Sequence, residues 1–250
     1  MTLQSITMTG ATLPGTASDT PPRPVRVTKS LLGYGVIAGP FYLVVSLAQA
    51  LTRDGFDLTR HAWSLLANGD LGWIQIINFT LTGAMLVAFA VGLHRALAGG
   101  RGGWWAPRLI GAFGVGMALS ALVFRADPAQ GFPPGAPQQP QLTWHGALHY
   151  PVAGVAFLSL VVACFVLASR FVAEGRRGWA AFSRVAGVVF LVGFAGLSAS
   201  AGASWSVVSF IVALVVVFAW ISAVAVHWYR RAGEDRNGRH GSPTSRHRSA

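Results

Sequence analysis

Six apolar stretches, at about 31–52, 71–93, 109–125, 146–169, 185–203 and 206–228, fill about half of this 250-residue chain. They hold one charged residue between them, Arg125 at an end. Each is close to the roughly 20 residues needed to cross a hydrocarbon layer about 30 Å thick. Backbone amides in lipid have no water to bond, so such segments must be internally bonded helices. A β-barrel is excluded, because barrel strands alternate apolar and polar residues whereas these runs are continuous. Only 11% of the residues are charged, against roughly 25% in a soluble domain, too few to cover a water-facing surface. The expected fold is all-α: a polytopic membrane protein with six transmembrane helices in one bundle.

Charge placement predicts which way the bundle faces. Of 19 Lys and Arg residues, 16 fall in the N-terminal tail, the second and fourth connections and the C-terminal tail; Arg53, Arg60 and Arg125 lie on the other side. The positive-inside rule then puts both termini in the cytoplasm of a cell (plasma or inner) membrane. Tryptophans agree: Trp63, Trp73, Trp144 and Trp205 fall at the outer boundary, Trp104, Trp105, Trp179 and Trp228 at the inner one. The net charge of +11 is thereby explained as topology plus attraction to anionic membrane lipids. Nucleic acid is not an expected partner, since the arginines are scattered without a binding motif. Arg outnumbers Lys 18 to 1 beside abundant Ala and Gly, the codon bias of a GC-rich bacterial genome.

Residues 1–28 and 232–250 are rich in Thr, Ser, Pro, Gly and Arg without apolar periodicity, and read as disordered tails around a membrane domain at 29–231. The first span ends in Ala48-Gln49-Ala50, like a secretory signal, but it is too long and lies behind a polar leader, so it is expected to stay as a span. The fifth span, with its LSASAGAS run, is expected to pack centrally, because small faces let helices approach closely. The lone Cys164 lies in an apolar run and reads as a small hydrophobe.

Polar residues left over from this accounting gather on the outer side. The first outer connection reads RDGFDLTRHAWSLLANGDLGW. Asp57 as N-cap and Gly69 past the end predict a short interfacial helix over about 58–68, with Asp57, His61 and Ser64 on one face. Three such side chains on one short helix rarely make a catalytic triad, so capping and an Asp–His pair are the expected roles. In the second outer connection, Asp127 precedes His145 and His149, which lie one turn apart. That set could pack helix tops, bind a ligand or proton, or hold a metal if a carboxylate completes it. Arg60 and Arg125 are expected to pair with Asp127 and Asp57 across the two loops. In the second span Gln75, Asn78 and Thr82 form a polar stripe, suited to bonding a neighbouring helix or to flooring an outward-facing pocket. His94 and His227, at inner helix ends, are expected to face headgroups.

The stretches FDLTRHAWSLLANGDLGWIQIINF, VFRADPAQGFPPG and HGALH together resemble the bacterial six-helix membrane family named domain of unknown function 998. The likeness covers roughly residues 30–230, and the matching positions are Arg60, His61, Ser64, Asn78, Asp127, Pro128, His145, Gly146 and His149. It implies a six-span helical bundle and no assigned activity.

Three functional classes follow. The favoured one is non-catalytic binding of a lipid headgroup or small molecule at an outward-facing polar site built from Asp57, Arg60, His61, Ser64, Gln75, Asn78, Asp127, His145 and His149, with no cofactor. The alternative is a metal-dependent lipid hydrolase, similar in logic to alkaline-ceramidase-like enzymes, with zinc on Asp127, His145 and His149. A transporter or carrier is the third, disfavoured because ionisable residues are nearly absent from span interiors. The topology is testable: a reporter active only outside the cytoplasm should work when fused after Gly135 and fail after Gly102, and the reverse pattern would invert the bundle.

Overall fold

A computed structural model describes residues 23–97, 99–200 and 203–234. Six helices are present, α1 (Arg23–Thr52), α2 (Gly72–Leu97), α3 (Trp105–Leu122), α4 (Trp144–Ala173), α5 (Arg177–Ala199) and α6 (Ser204–Glu234). All six are long and apolar enough to cross a membrane, and no strand occurs among the described residues. Two helices overrun the expected tails: α1 starts at Arg23 and α6 ends at Glu234. Long Arg and Lys side chains let a helix continue past the hydrocarbon layer while their charges reach water. The rest of both tails lies outside the described residues.

Each helix packs on its sequence neighbours, and α1 packs on α6, so the six form a closed ring in chain order. The α1–α2, α3–α4 and α5–α6 connections share one face, here the distal face, opposite the chain's described ends. Helices gain little in lipid from hiding apolar groups, so close approach and interhelical hydrogen bonds must hold the ring. Both are visible. A Cβ on Gly83 of α2 would collide with the Gly114 carbonyl of α3, and the Ser222 hydroxyl of α6 donates to the Val36 carbonyl of α1 at 3.1 Å. The fifth helix is not central. Only a third of its apolar window is buried, against half for α2, α3 and α6, because ring order gives every helix an outer face.

Large rings fill the half of the bundle nearer the termini. Trp220, Phe89 and Phe171 are fully buried there, and the Trp220 indole donates to Ser183 Oγ at 2.9 Å. Trp73, Trp104, Trp105, Trp144 and Trp205 stay exposed at the two boundaries, as interfacial rings should. Trp63 and Trp228 depart from that belt and are buried.

One carboxylate ties the terminal face together. Glu174 takes Arg170 and Arg231 at 2.8 Å and Arg176 at 3.8 Å. Arg170 also donates to the carbonyls of Gly99 and Arg101, linking the α2–α3 connection to the ends of α4 and α6. Burial alone would raise the Glu174 carboxyl, but its bonds to Arg231 and Arg170 hold it below its ordinary value of 4.5. A depressed folded-state pKa means this lock contributes fully above about 4.5 and is lost as pH falls through the lower value. The melting midpoint in detergent should therefore drop on acidification through that window, with a shallower drop in Glu174→Gln.

Candidate functional site

The two long distal connections fold inward over the ring. Where a helix over 58–68 was expected, the chain makes turns and then a five-residue 3-10 helix, Trp63–Ala67. The Asp57 carboxylate accepts from the Thr59 amide at 2.8 Å and hydroxyl at 2.7 Å, a local turn that competes with helix start. Those bonds hold its pKa below the ordinary carboxylate value. Gly69 does follow the helical turn with φ of +72°. The segment's apolar residues face the protein: Trp63, Leu65, Leu66 and Ala67 are buried, and Trp63 packs on Tyr42 of α1.

His61 is a strut between the loops. Its Nδ1 accepts from the Asp57 amide at 2.8 Å, which assigns the proton to Nε2, and Nε2 donates to the Gln130 carbonyl at 3.1 Å. The expected carboxylate–imidazole pair is thus replaced by two backbone bonds. Arg53 donates to the Leu66 carbonyl at 2.5 Å and the Asn68 carbonyl at 2.6 Å, and the Asn68 amide reaches the Ala126 carbonyl at 3.1 Å. The loops meet, but not through the ion pairs expected of Arg60 and Arg125. Arg60 makes one long contact, 3.4 Å to Gln138 Oε1, and among the described residues every ion pair involves Glu174.

Asp127 instead sits at the start of α4, accepting from the Thr143 amide at 2.8 Å and hydroxyl at 2.7 Å. A carboxylate is favoured at a helix N-terminus, and Gly146 is needed because any Cβ there would strike it. His145 Nδ1 pairs with the Thr143 hydroxyl at 2.6 Å, whereas His149 Nδ1 donates to the Phe124 carbonyl past the end of α3 at 2.7 Å. Among the described residues no three of His, Cys, Asp and Glu gather where they could hold a metal ion. Asp127, His145 and His149, the residues of the hydrolase alternative, are here each bonded to Thr143 or Phe124 and not gathered on one point.

The stripe on α2 faces α1. Gln75 Oε1 accepts from Gln49 at 2.7 Å, Gln75 Nε2 donates to Ser46 at 3.0 Å, and Asn78 Nδ2 reaches Ser46 at 3.0 Å and the Tyr42 carbonyl at 3.2 Å. All four polar side chains are buried. Ser46 and Gln49 are partners the sequence analysis did not single out; their three-residue spacing on α1 mirrors that of Gln75 and Asn78.

Beneath the loops lies a cavity of about 570 Å³ inside the distal half of the ring, with walls from all six helices. Phe113, Phe157, Phe210 and Phe218 line its depths, and Arg60, Gln138 and Gln139 its rim. Of the nine expected site residues, Arg60, Ser64 and His149 border it. Asp57 and His61 line a shallower hollow on the outer side of the loops, and Gln75, Asn78, Asp127 and His145 lie outside both. Two further wall residues matter: Trp63 Nε1 and Ser120 Oγ are buried and have no hydrogen-bond partner. Ser120 had a signal, being the one hydroxyl in an otherwise apolar third span; Trp63 had none, since its position matched the interfacial belt.

Removing His61 leaves two loop backbone groups without partners, which costs about 1–3 kcal/mol where they are buried. His61→Ala and Asn78→Leu should therefore both lower the melting midpoint in detergent, and only His61→Ala should open the loops to protease. No curated protein and no solved structure matches this sequence. Its residues 36–229 do match the family described as protein of unknown function DUF998, and with that match over most of its length the chain belongs to that family.

Proposed function

We propose that this protein binds an amphipathic small molecule or lipid in the distal half of its ring, on the side away from the cytoplasm. The apolar body lies among Phe113, Phe157, Phe210 and Phe218, and the polar end meets Arg60, Gln138 and Gln139 at the rim. The observation that carries this reading is the pair of unpartnered polar atoms, Trp63 Nε1 and Ser120 Oγ, on a mainly apolar wall. A buried polar group without a partner costs about 1–3 kcal/mol, and two of them beside one cavity suit a ligand that brings hydrogen-bond acceptors. The volume supports it, since ligand pockets run from roughly 300 to 1,000 Å³ with mainly apolar walls and a few placed polar groups. Arg60, with only its long bond to Gln138, keeps donors free for an anionic or acceptor-rich head.

Native mass spectrometry of protein extracted in mild detergent should find one amphiphile per chain. Met117→Trp, which fills the cavity from α3, should lose it. Trp63→Phe keeps the ring but removes the donor, and should weaken rebinding about tenfold, the worth of one buried hydrogen bond near 1.4 kcal/mol. Absence of any bound amphiphile, with no thermal shift on adding fatty acids or lysolipids, would overturn the reading.

A further inference from the structure

The cavity has two edges, and they are built differently. Toward water it is roofed. The 3-10 turn is pinned by Arg53 at the carbonyls of Leu66 and Asn68, the loops are joined by Asn68 to Ala126 and His61 to Gln130, and Trp63 and Leu65 close the space beneath.

Toward the bilayer the wall is thin between α4 and α5. Nearer the termini these helices are in close contact: a Cβ on Gly187 would lie 3.0 Å from Cys164 Cβ and 3.2 Å from the Phe165 ring. In the distal half they meet through rings instead, Phe157 of α4 on Phe190 and Phe194 of α5 at 5.3 and 5.1 Å, and their closest backbone approaches are to their other neighbours. Ala156 of α4 packs directly on Gly116 of α3, and Gly193 of α5 on Ala213 of α6, with 2.7 Å to an added Cβ. Gly154 of α4 then has one neighbour for its missing side chain, the Phe194 ring of α5 at 3.7 Å. Tyr150, in the second turn of α4, and Ser198, next to the last residue of α5, line the cavity at this seam and are also exposed on the outside, Tyr150 by 65%.

We infer that the ligand is a single-chain amphiphile dissolved in the distal leaflet, and that it reaches the cavity sideways through the α4–α5 seam, past Tyr150 and Phe194. This rests on the cavity being a binding site, as proposed above. A molecule arriving from lipid need not unroof the loops or leave the hydrocarbon layer: its chain slides in past the small residues of α5 while its head stays at the depth of Arg60. One apolar chain suits a cavity whose floor is closed by Phe113, Phe157 and Phe218.

The test uses the full chain in vesicles with a diazirine-bearing palmitic acid, followed by photolysis and peptide mapping. Wall segments around Phe113, Phe157 and Phe210 should be labelled. Gly154→Leu combined with Ser198→Trp, which plugs the seam, should slow labelling at least tenfold. Tyr150→Ala, which widens it, should speed labelling, a change that misfolding does not produce. Val44→Trp, the same bulk on an exposed face of α1, should match the unaltered protein. If the wall is labelled but plugging and widening leave the rate unchanged, the seam is wrong and the binding site stands. If no wall segment is labelled in vesicles or in detergent, the binding site itself falls. Equal labelling by a phosphatidylglycerol carrying the same chain would overturn the single-chain assignment.

Discussion

Six helices packed side by side in chain order enclose an axial space about as wide as a helix, roughly 10 Å. That geometric constraint governs the rest of the molecule. Every residue facing the axis must either help fill the space or border what is left. In the terminal half Trp220, Phe89 and Phe171 fill it, and α2 also touches α6. In the distal half the aromatics line the walls instead, and the cavity results. Ring closure by α1 on α6 is what makes this space an interior, and the buried amide network of Ser46, Gln49, Gln75 and Asn78 fixes α1 against α2 on the other flank.

The charged and polar groups of the distal face have a consistent employment. Arg53, His61, Asn68 and His149 each bond loop or helix-end carbonyls, and Asp127 bonds the start of α4. A chain that folds two long connections over a membrane bundle must find partners for the backbone groups it brings inward. Side chains supply many of them here, which explains why a cluster rich in His, Asp and Arg need not be a reactive centre. The groups on the cavity wall that remain without a partner, Trp63 Nε1 and Ser120 Oγ, are correspondingly informative.

The spans and their order were legible because the lipid constraint acts on continuous stretches of sequence, and hydropathy reports it directly. Gln75 and Asn78 were legible as a stripe for the same reason, since amides in an apolar helix stand out. The cavity was not. It depends on which neighbour each helix leans toward, and apolar side chains look alike in sequence whether they face lipid, a helix or a void. His61 was misassigned because i,i+4 spacing carries meaning only on an α-helix, and the Asp57–Thr59 turn diverts that segment from one. The fifth span was placed centrally on its small residues, whereas in the ring Gly187 and Gly193 bring it close only to its two neighbours, α4 and α6.

The difference between the two halves also bears on what the bundle does. A carrier must open alternately to both faces, so the space beneath its site has to be breakable. Here the way down is blocked by fully buried Trp220, Phe89 and Phe171, and below them Glu174 holds the ends of α4 and α6 while Arg170 grips the α2–α3 connection. Opening that side would expose large rings and separate a carboxylate from two arginines at once, costs that fall together and not in steps. In the distal half a comparable network joins only α1 to α2, through Ser46, Gln49, Gln75 and Asn78; elsewhere among the described residues its order resides in loops bonded mostly through single hydrogen bonds. Local opening is cheapest where buried contacts are fewest, so the distal half is where the proposed ligand would exchange. The packed terminal half then acts as a fixed base, which favours binding at one face over passage through the bundle.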